Sequence, residues 1–353
     1  MSDFRFRNLE KYRVSGTGTQ MQLSVPAPSS VTGKTYRECP DAECSPRLFQ
    51  MGGAPDDRQI APEHRSLIRR QAGVDGTTCP YCSHEESDRA FMAAMDIEAA
   101  KDQVGYAVQR DVHDWLKGLT RSFNRKAGGS LLSISMEVTT LPPSPPVVIR
   151  EDLLRALTCP VCSRDYGVYA IALFCPDCGA PALASHFSRE VELIRRQLEL
   201  SATKEDSDAE LSYRLLGNAH EDVLTAFETA QKTIYRYLVK ARIPDRYEEL
   251  CSQKLIGNAF QNTDRSRALF GNLSIDPYSS LSPDDLETLS LNIQKRHVIG
   301  HNLSIADDHY QALANDAKPG QTINLLREDG ERFASVAALV VKELDTELRP
   351  RAN

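Results

Sequence analysis

Two groups of side chains in this sequence have the types and spacing to do chemistry. The first is sulfur. Eight of the nine cysteines fall into four close pairs: Cys39 and Cys44 in CPDAEC, Cys79 and Cys82 in CPYC, Cys159 and Cys162 in CPVC, and Cys175 and Cys178 in CPDC, while Cys251 stands apart. Four thiolates around one centre suit tetrahedral Zn2+, with each sulfur about 2.3 Å from the metal. The second group is Arg296, His297, His301 and Asn302, seven positions within LSLNIQKRHVIGHNLSIADDHY, residues 289–310. An imidazole exchanges protons near neutral pH, and a guanidinium offers a planar fork of donors; phosphate chemistry uses both.

CPVC and CPDC are separated by twelve residues, SRDYGVYAIALF, which read as a turn followed by a β-rich run. Proline after the first cysteine presets a turn, and Gly179 permits the backbone to fold beneath a metal. This stretch resembles a zinc ribbon. The set of Cys39, Cys44, Cys79 and Cys82 is looser, because 34 residues separate Cys44 from Cys79. His84, just past CPYCS, is an alternative ligand, although four thiolates suffice and a solvated loop histidine is the plainer reading. Two Zn2+ per chain are expected, with four cysteines around each. A site closed by four thiolates leaves no position for water or substrate, so these metals are expected to scaffold a small element rather than react. Direct recognition of nucleic acid or protein is the sharper alternative.

The elements that must position these residues follow from periodicity. Ile97, Ala100, Val104, Val108, Val112, Trp115, Leu119 and Phe123 form one apolar stripe and predict a helix from Asp96 to Lys126. Leu132, Ile134, Met136 and Val138 alternate with polar residues as a half-buried strand does, and LPPSPP at 141–146 is a stiff extended linker. A helix is expected from about Ser188, followed by a polar hinge, SATKEDSDAE, at 201–210. Leu215, Ala219, Val223, Phe227, Ala230, Ile234 and Leu238 then mark a long helix that Ile243-Pro244 breaks. Further helices are expected at 246–262, 283–300 and 330–348, the last with Phe333, Val336, Val340 and Leu344 on one side, and with Cys251 as a small buried thiol in one of them. The fold class expected is therefore α+β multidomain. A first zinc-ribbon region covers 1–92, a helix-and-strand connector 93–148, a second zinc ribbon 149–187, a helix and hinge 188–210, and an all-α antiparallel helical bundle 211–353.

Composition narrows the function classes. A hydrophobic share of 41% and a charged share of 26% exclude a mostly disordered or fibrous chain. No apolar run approaches the about 18 residues that cross a bilayer, and MSDFRFRNLE carries charge where a secretion signal is apolar, so a cytoplasmic protein without a membrane partner is expected. The net charge of −7 argues against coating nucleic acid through bulk charge. Residues 1–70 hold 11 basic against 8 acidic groups and residues 201–353 hold 18 against 24, so nucleic acid must meet a local site. No G-x4-GK[ST] loop and no HExxH is present.

His297 and His301 are four apart and share a helical face, where they could ligate a metal together. Arg296 and His301 are five apart, about 140° around an ideal helix, and converge only if the helix ends or distorts between them; Gly300 is the natural place. An ordinary reading competes: an exposed arginine and two histidines at a helix C-terminus, where cations offset the dipole. Asp307 and Asp308 read as a solvated acidic turn or a cation site.

R-H-x3-H near the end of a late helix resembles the R-x4-6-H signature of the HEPN superfamily, and KRHVIGHN, IADDHY and KPGQTINL with a closing helix resemble HEPN domains over about residues 211–353. The resemblance implies a metal-independent endoribonuclease in which His301 is the base, Arg296 stabilises charge on the phosphorane, and His297 orients phosphate or carries a second proton. Asn302 holds a substrate oxygen or caps the helix. It further implies a homodimer with two R/H sets across one cleft, RNA as substrate, 2′,3′-cyclic phosphate and 5′-hydroxyl ends, and a setting in antiviral defence or toxin-like growth arrest with an inhibitor or sensor protein as partner. The alternative is a non-catalytic zinc-ribbon adaptor or nucleic-acid-binding protein whose HEPN bundle only dimerises or binds a ligand.

Overall fold

A computed structural model describes residues 6–16, 20–26, 32–53, 60–71, 76–127, 154–302, 304–314 and 317–350. The strand expected at 132–138 and the linker at 141–146 lie outside them. A small hairpin of β1 (Arg13–Ser15) and β2 (Gln22–Leu23) leads into a module of short hairpins. These are β3 (Thr35–Glu38) with β4 (Leu48–Met51), β5 (Thr77–Thr78) with β6 (Glu85–Glu86), and, after helix α1 (Ala94–Ala127), β7 (Arg155–Thr158) with β8 (Asp165–Val168). Strands β4 and β8 pair antiparallel, Phe49 opposite Val168 and Met51 opposite Tyr166, which joins the hairpins into one sheet of order β3-β4-β8-β7. The two ribbons expected at 1–92 and 149–187 are thus one module with α1 inserted between its halves. Phe49, Phe91, Tyr166 and Val168, all with no exposed surface, pack with both cysteine sets in one core. Tyr81 staples it: its hydroxyl donates to Leu48 O at 2.9 Å and accepts from Tyr169 N–H at 3.1 Å.

The second layer is helical. Helix α2 (Leu183–Ala202) starts five residues after Cys178, and α3 (Ala209–Arg242) follows the turn at 203–207. After short helices α4 (Tyr247–Leu250), α5 (Gln253–Ile256) and α6 (Thr263–Gly271) come α7 (Pro283–Asn302), α8 (Asp308–Leu313) and α9 (Arg327–Thr346). Helices α2, α3, α7 and α9 form the four-helix bundle. Ala219, Val223, Phe227, Ala230, Ile234 and Leu238 from α3 meet Phe333, Val336, Val340 and Leu344 from α9 in its core, as the two stripes predict. Two expectations change here. The helix read at 188–210 belongs to the bundle, and 201–210 is its first inter-helix turn rather than a hinge, because Val191, Ile194 and Leu198 bury into the same core. The helix expected at 246–262 is broken into α4, α5 and a 3-10 turn, with Cys251 half-buried just beyond α4. No described helix is long and apolar enough to cross a membrane.

Helix direction alternates. Ala184 N–H reaches Asp345 at 3.0 Å while Leu198 lies against Gly330, so α2 and α9 are antiparallel. Tyr213 hydroxyl donates to Ile323 O at 3.3 Å and Arg242 pairs with Glu347 at 2.6 Å, so α3 runs with α9. At one end a buried polar layer sets the register of α3, α7 and α9. The amide of Asn292 donates to Thr288 O at 2.8 Å, which turns its oxygen toward His220 Nε2 at 2.9 Å; the His220 ring lies 5.1 Å from that of Phe333. Lys295 Nζ donates to Asp329 Oδ2 at 2.9 Å and Asn324 O at 3.0 Å.

Burial pushes His220 down from 6.5 to about 4, ahead of the opposing bond to Asn292. The unfolded chain therefore takes the proton first, and stability present above pH 6.5 is lost as pH falls toward 4, by up to about 3 kcal/mol. Urea midpoints measured from pH 7 to pH 4 should fall less steeply for His220→Gln than for the natural chain; equal slopes count against the assignment.

Candidate functional site

Three cysteine pairs sit in hairpin loops and the fourth, Cys175 and Cys178, under the isolated bridge of Phe174 with Pro181; three of the four loops are copies of one turn. In CPYC-Ser83, CPVC-Ser163 and CPDC-Gly179 the residue after the second cysteine is left-handed, with φ of 62°, 57° and 68°. Its N–H donates to the carbonyl of the first cysteine at 3.1, 2.9 and 3.0 Å. The first sulfur in turn accepts the N–H two residues on, from Tyr81, Val161 and Asp177 at 3.4–3.5 Å. Those bonds aim both sulfurs of a pair to one side and place negative charge where donors offset it. CPDAEC is built differently: Cys44 N–H bonds Asp41 O at 3.2 Å and Cys39 N–H bonds Arg47 O at 2.9 Å.

The loops bring Cys39, Cys44, Cys79 and Cys82 into one group and Cys159, Cys162, Cys175 and Cys178 into another, with ligand atoms within 4.8 Å of one another in each. Sulfurs at the corners of a tetrahedron with 2.3 Å bonds stand roughly 3.8 Å apart. Cys39–Cys82 and Cys44–Cys79 are 3.7 Å, Cys159–Cys178 3.8 Å and Cys162–Cys175 3.6 Å. All nine cysteines are free of disulfides. Hydrogen bonding inside the first group drives Cys82 far below the usual thiol range and Cys79 far above it; in the second, Cys159 goes down and Cys178 up. Four sulfurs this close cannot all ionise unless a cation offsets them, so the donor set fits a thiolate-bound metal ion. His84 stays outside: its exposed ring bonds Glu86 at 3.2 Å, which raises its pKa. Beside the second group, Arg164 bonds Asp177 Oδ2 at 2.9 Å and Gly52 O at 2.8 Å, tying that loop to the end of β4.

At the polar end of the bundle α7 runs unbroken to Asn302, its last residue, whose side chain is outside the described set. The helix end or distortion expected at Gly300 is absent. The missing side chain of Gly300 acts otherwise. A Cβ built there would stand 3.7 Å from Arg296 Cζ and 2.6 Å from Glu221 Oε1, so the guanidinium lies over Gly300 and the carboxylate of α3 fills the same notch. Arg296 Nε is 3.8 Å from Glu221 Oε1 and is shut from water without a hydrogen bond. His297 and His301, both exposed, have ring centroids 4.8 Å apart, and among the described residues no contact joins either ring to Arg296. Among the described residues only the two cysteine sets gather three or more metal-ligand atoms. Asp307 caps α8, accepting Tyr310 N–H at 2.8 Å.

Sequence reading missed Glu221, which nothing marks among the acidic residues of α3, and it missed a cleft of about 1130 Å³ between the cysteine module and the α2–α3 face. Cys82, Arg155, His186, Glu190 and Arg236 line that cleft; Arg296, His297 and His301 do not. In its wall His186 Nδ1 accepts Ala172 N–H at 3.1 Å, and Glu190 bonds Arg155 at 2.7 Å and lies 3.7 Å from His186 Nε2. A scan against protein-family models found no match, and neither did searches of curated proteins and of solved structures.

If metal closes both groups, Cys175→Ser removes a fully buried ligand and should cost the module most of its stability, read as a thermal midpoint lower by many degrees. Cys251→Ser, outside both groups, should stay within about 1 kcal/mol of the natural chain. Equal losses in the two variants would deny the metal role.

Proposed function

We propose that this protein is a HEPN-type endoribonuclease acting as a homodimer, with two structural Zn2+ held by the eight paired cysteines. The observation that carries the reading is a guanidinium, Arg296, laid over Gly300 on the same helix end that exposes two imidazoles one turn apart. In RNA cleavage the 2′-oxygen attacks phosphorus, the P–O5′ bond breaks, and the 5′-oxygen leaves with a proton. His301 takes the 2′-hydroxyl proton, Arg296 holds the charge that builds on the phosphorane oxygens, and a second copy of the site returns a proton to the leaving oxygen. His297 stands beside His301 as phosphate ligand or second proton carrier. The acidic balance of residues 201–353 leaves RNA to be gripped locally. Closed tetrahedral Zn2+ supplies folding energy to hairpins too short to stand alone, and the proposed cleavage needs no added metal.

The cleft favours a second reading, a non-catalytic zinc-bearing adaptor that binds its partner between module and bundle, since this concavity of about 1130 Å³ lies away from Arg296. One comparison separates the two. Under the ribonuclease reading, Arg296→Ala and His301→Ala each slow cleavage of RNA by about 10²-fold or more while mass and melting stay unchanged. Products carry cyclic phosphate, EDTA short of stripping the protein leaves the rate alone, and elemental analysis gives about two Zn per chain. A natural chain, fully metallated, that cuts no RNA leaves the adaptor.

A further inference from the structure

The two cysteine groups differ in how they meet solvent. In the second, Cys159, Cys162, Cys175 and Cys178 keep 0–3% of their surface, and none of them lines the cleft between module and bundle. In the first, Cys39 and Cys79 are sealed, but Cys44 is 7% exposed, Cys82 is half-buried, and these two form part of the cleft wall. Cys44 Sγ also faces Pro46 O at 3.3 Å. That oxygen accepts but has no proton to give, so the contact does nothing to hold negative charge on the sulfur.

The groups differ in their attachments as well. The second is built into the helical layer: α2 starts five residues after Cys178, whose carbonyl accepts Arg69 N–H at 2.9 Å, and Asp177 of the same loop is held by Arg164 in a buried ion pair. The first reaches α3 through single side chains. Glu43, the residue before Cys44, pairs with Lys240 at 2.8 Å, and Ser83, the residue after Cys82, meets the Tyr237 hydroxyl at 3.1 Å. Residues 40–46 belong to no strand or helix, and Asp41, Glu43, Ser45 and Pro46 among them line the cleft. Sulfur contacts of 3.7 Å, Cys39 to Cys82 and Cys44 to Cys79, join this loop to the next.

We infer that the first group is the exchangeable metal site of this chain, a Zn2+ reached through the cleft by way of Cys44 and Cys82. Its loss releases the loop at 39–46 from α3 while the second group and the bundle stay folded. A competing ligand must reach a sulfur or the ion behind it, and Cys82 is the half-buried one of the eight. The inference rests on the two-Zn2+ part of the proposed function and uses neither Arg296 nor His301.

The full metallated chain, given an excess of the chromogenic chelator 4-(2-pyridylazo)resorcinol, should release zinc in two steps of about one equivalent each, the first at least about tenfold faster. Iodoacetamide added between the steps, followed by peptide mapping, should alkylate Cys39, Cys44, Cys79 and Cys82 and spare Cys159, Cys162, Cys175 and Cys178. The helix signal in circular dichroism should hold through the first step. Lys240→Glu with Tyr237→Phe in one chain removes both ties to α3 and keeps the ring that packs on Phe174. It should speed the first step about two- to fivefold and leave the second alone. A chain isolated with no zinc overturns the two-metal reading and this inference together. Two zinc ions leaving at one rate, alkylation of the second group first, a first step that melts the helices, or one indifferent to the double variant overturns this inference alone.

Discussion

Eight sulfurs gathered in two tetrahedral groups are the constraint on which the module rests. Its strands are two to four residues long, too short to pair stably unaided, and each hairpin ends in a loop whose sulfurs point inward. Gathering the loops in pairs around shared sulfur clusters sets the hairpins relative to one another, and the β4–β8 pairing sets one group relative to the other. What remains for ordinary packing is small: Phe49, edge-on to Phe91 at 6.0 Å and to Tyr81 at 6.4 Å, fills the space between sheet and sulfur.

The bundle is tied to that module at several points. Arg69 donates to Leu348 O at 3.2 Å, lies 4.3 Å over the ring of Phe174, and its N–H bonds Cys178 O at 2.9 Å, so one residue touches a cysteine loop and the end of the bundle together. Ser83 meets the Tyr237 hydroxyl at 3.1 Å, and Lys240 pairs with Glu43 at 2.8 Å. The opposite end carries the His220, Asn292 and Lys295 layer, where a buried polar set fixes how α3, α7 and α9 slide past one another. Arg296 directly follows Lys295 of that layer, so its direction is inherited from a register set in the core.

Much of this was legible in the sequence where one local rule decided the outcome. The cysteine ligand sets were readable because turn chemistry and spacing act over a few residues, and the α3 and α9 stripes because a 3.6-residue period is local too. The partnership of β4 with β8 was not, since it spans about 115 residues and rests on shared core packing. Helix α2 was set apart from the bundle, as a helix and hinge at 188–210, because the SATKEDSDAE stretch resembles a hinge, while its membership of the bundle is decided by Leu198 against Gly330. Gly300 was rightly singled out for the wrong reason. Its lack of a side chain matters as room for Arg296 and Glu221, and only a neighbouring helix can reveal that.

The insertion of α1 between the two halves of one sheet has a consequence for synthesis. The inner edge of β4 is complete as soon as Met51 leaves the ribosome, yet its partner Tyr166 follows about 115 residues later. At some 5–20 residues per second that is roughly 6–23 s during which a nascent chain carries an unpaired strand edge. The first four cysteines are complete at Cys82, so a metal bound there under the proposed reading would hold the early hairpins in shape through that interval.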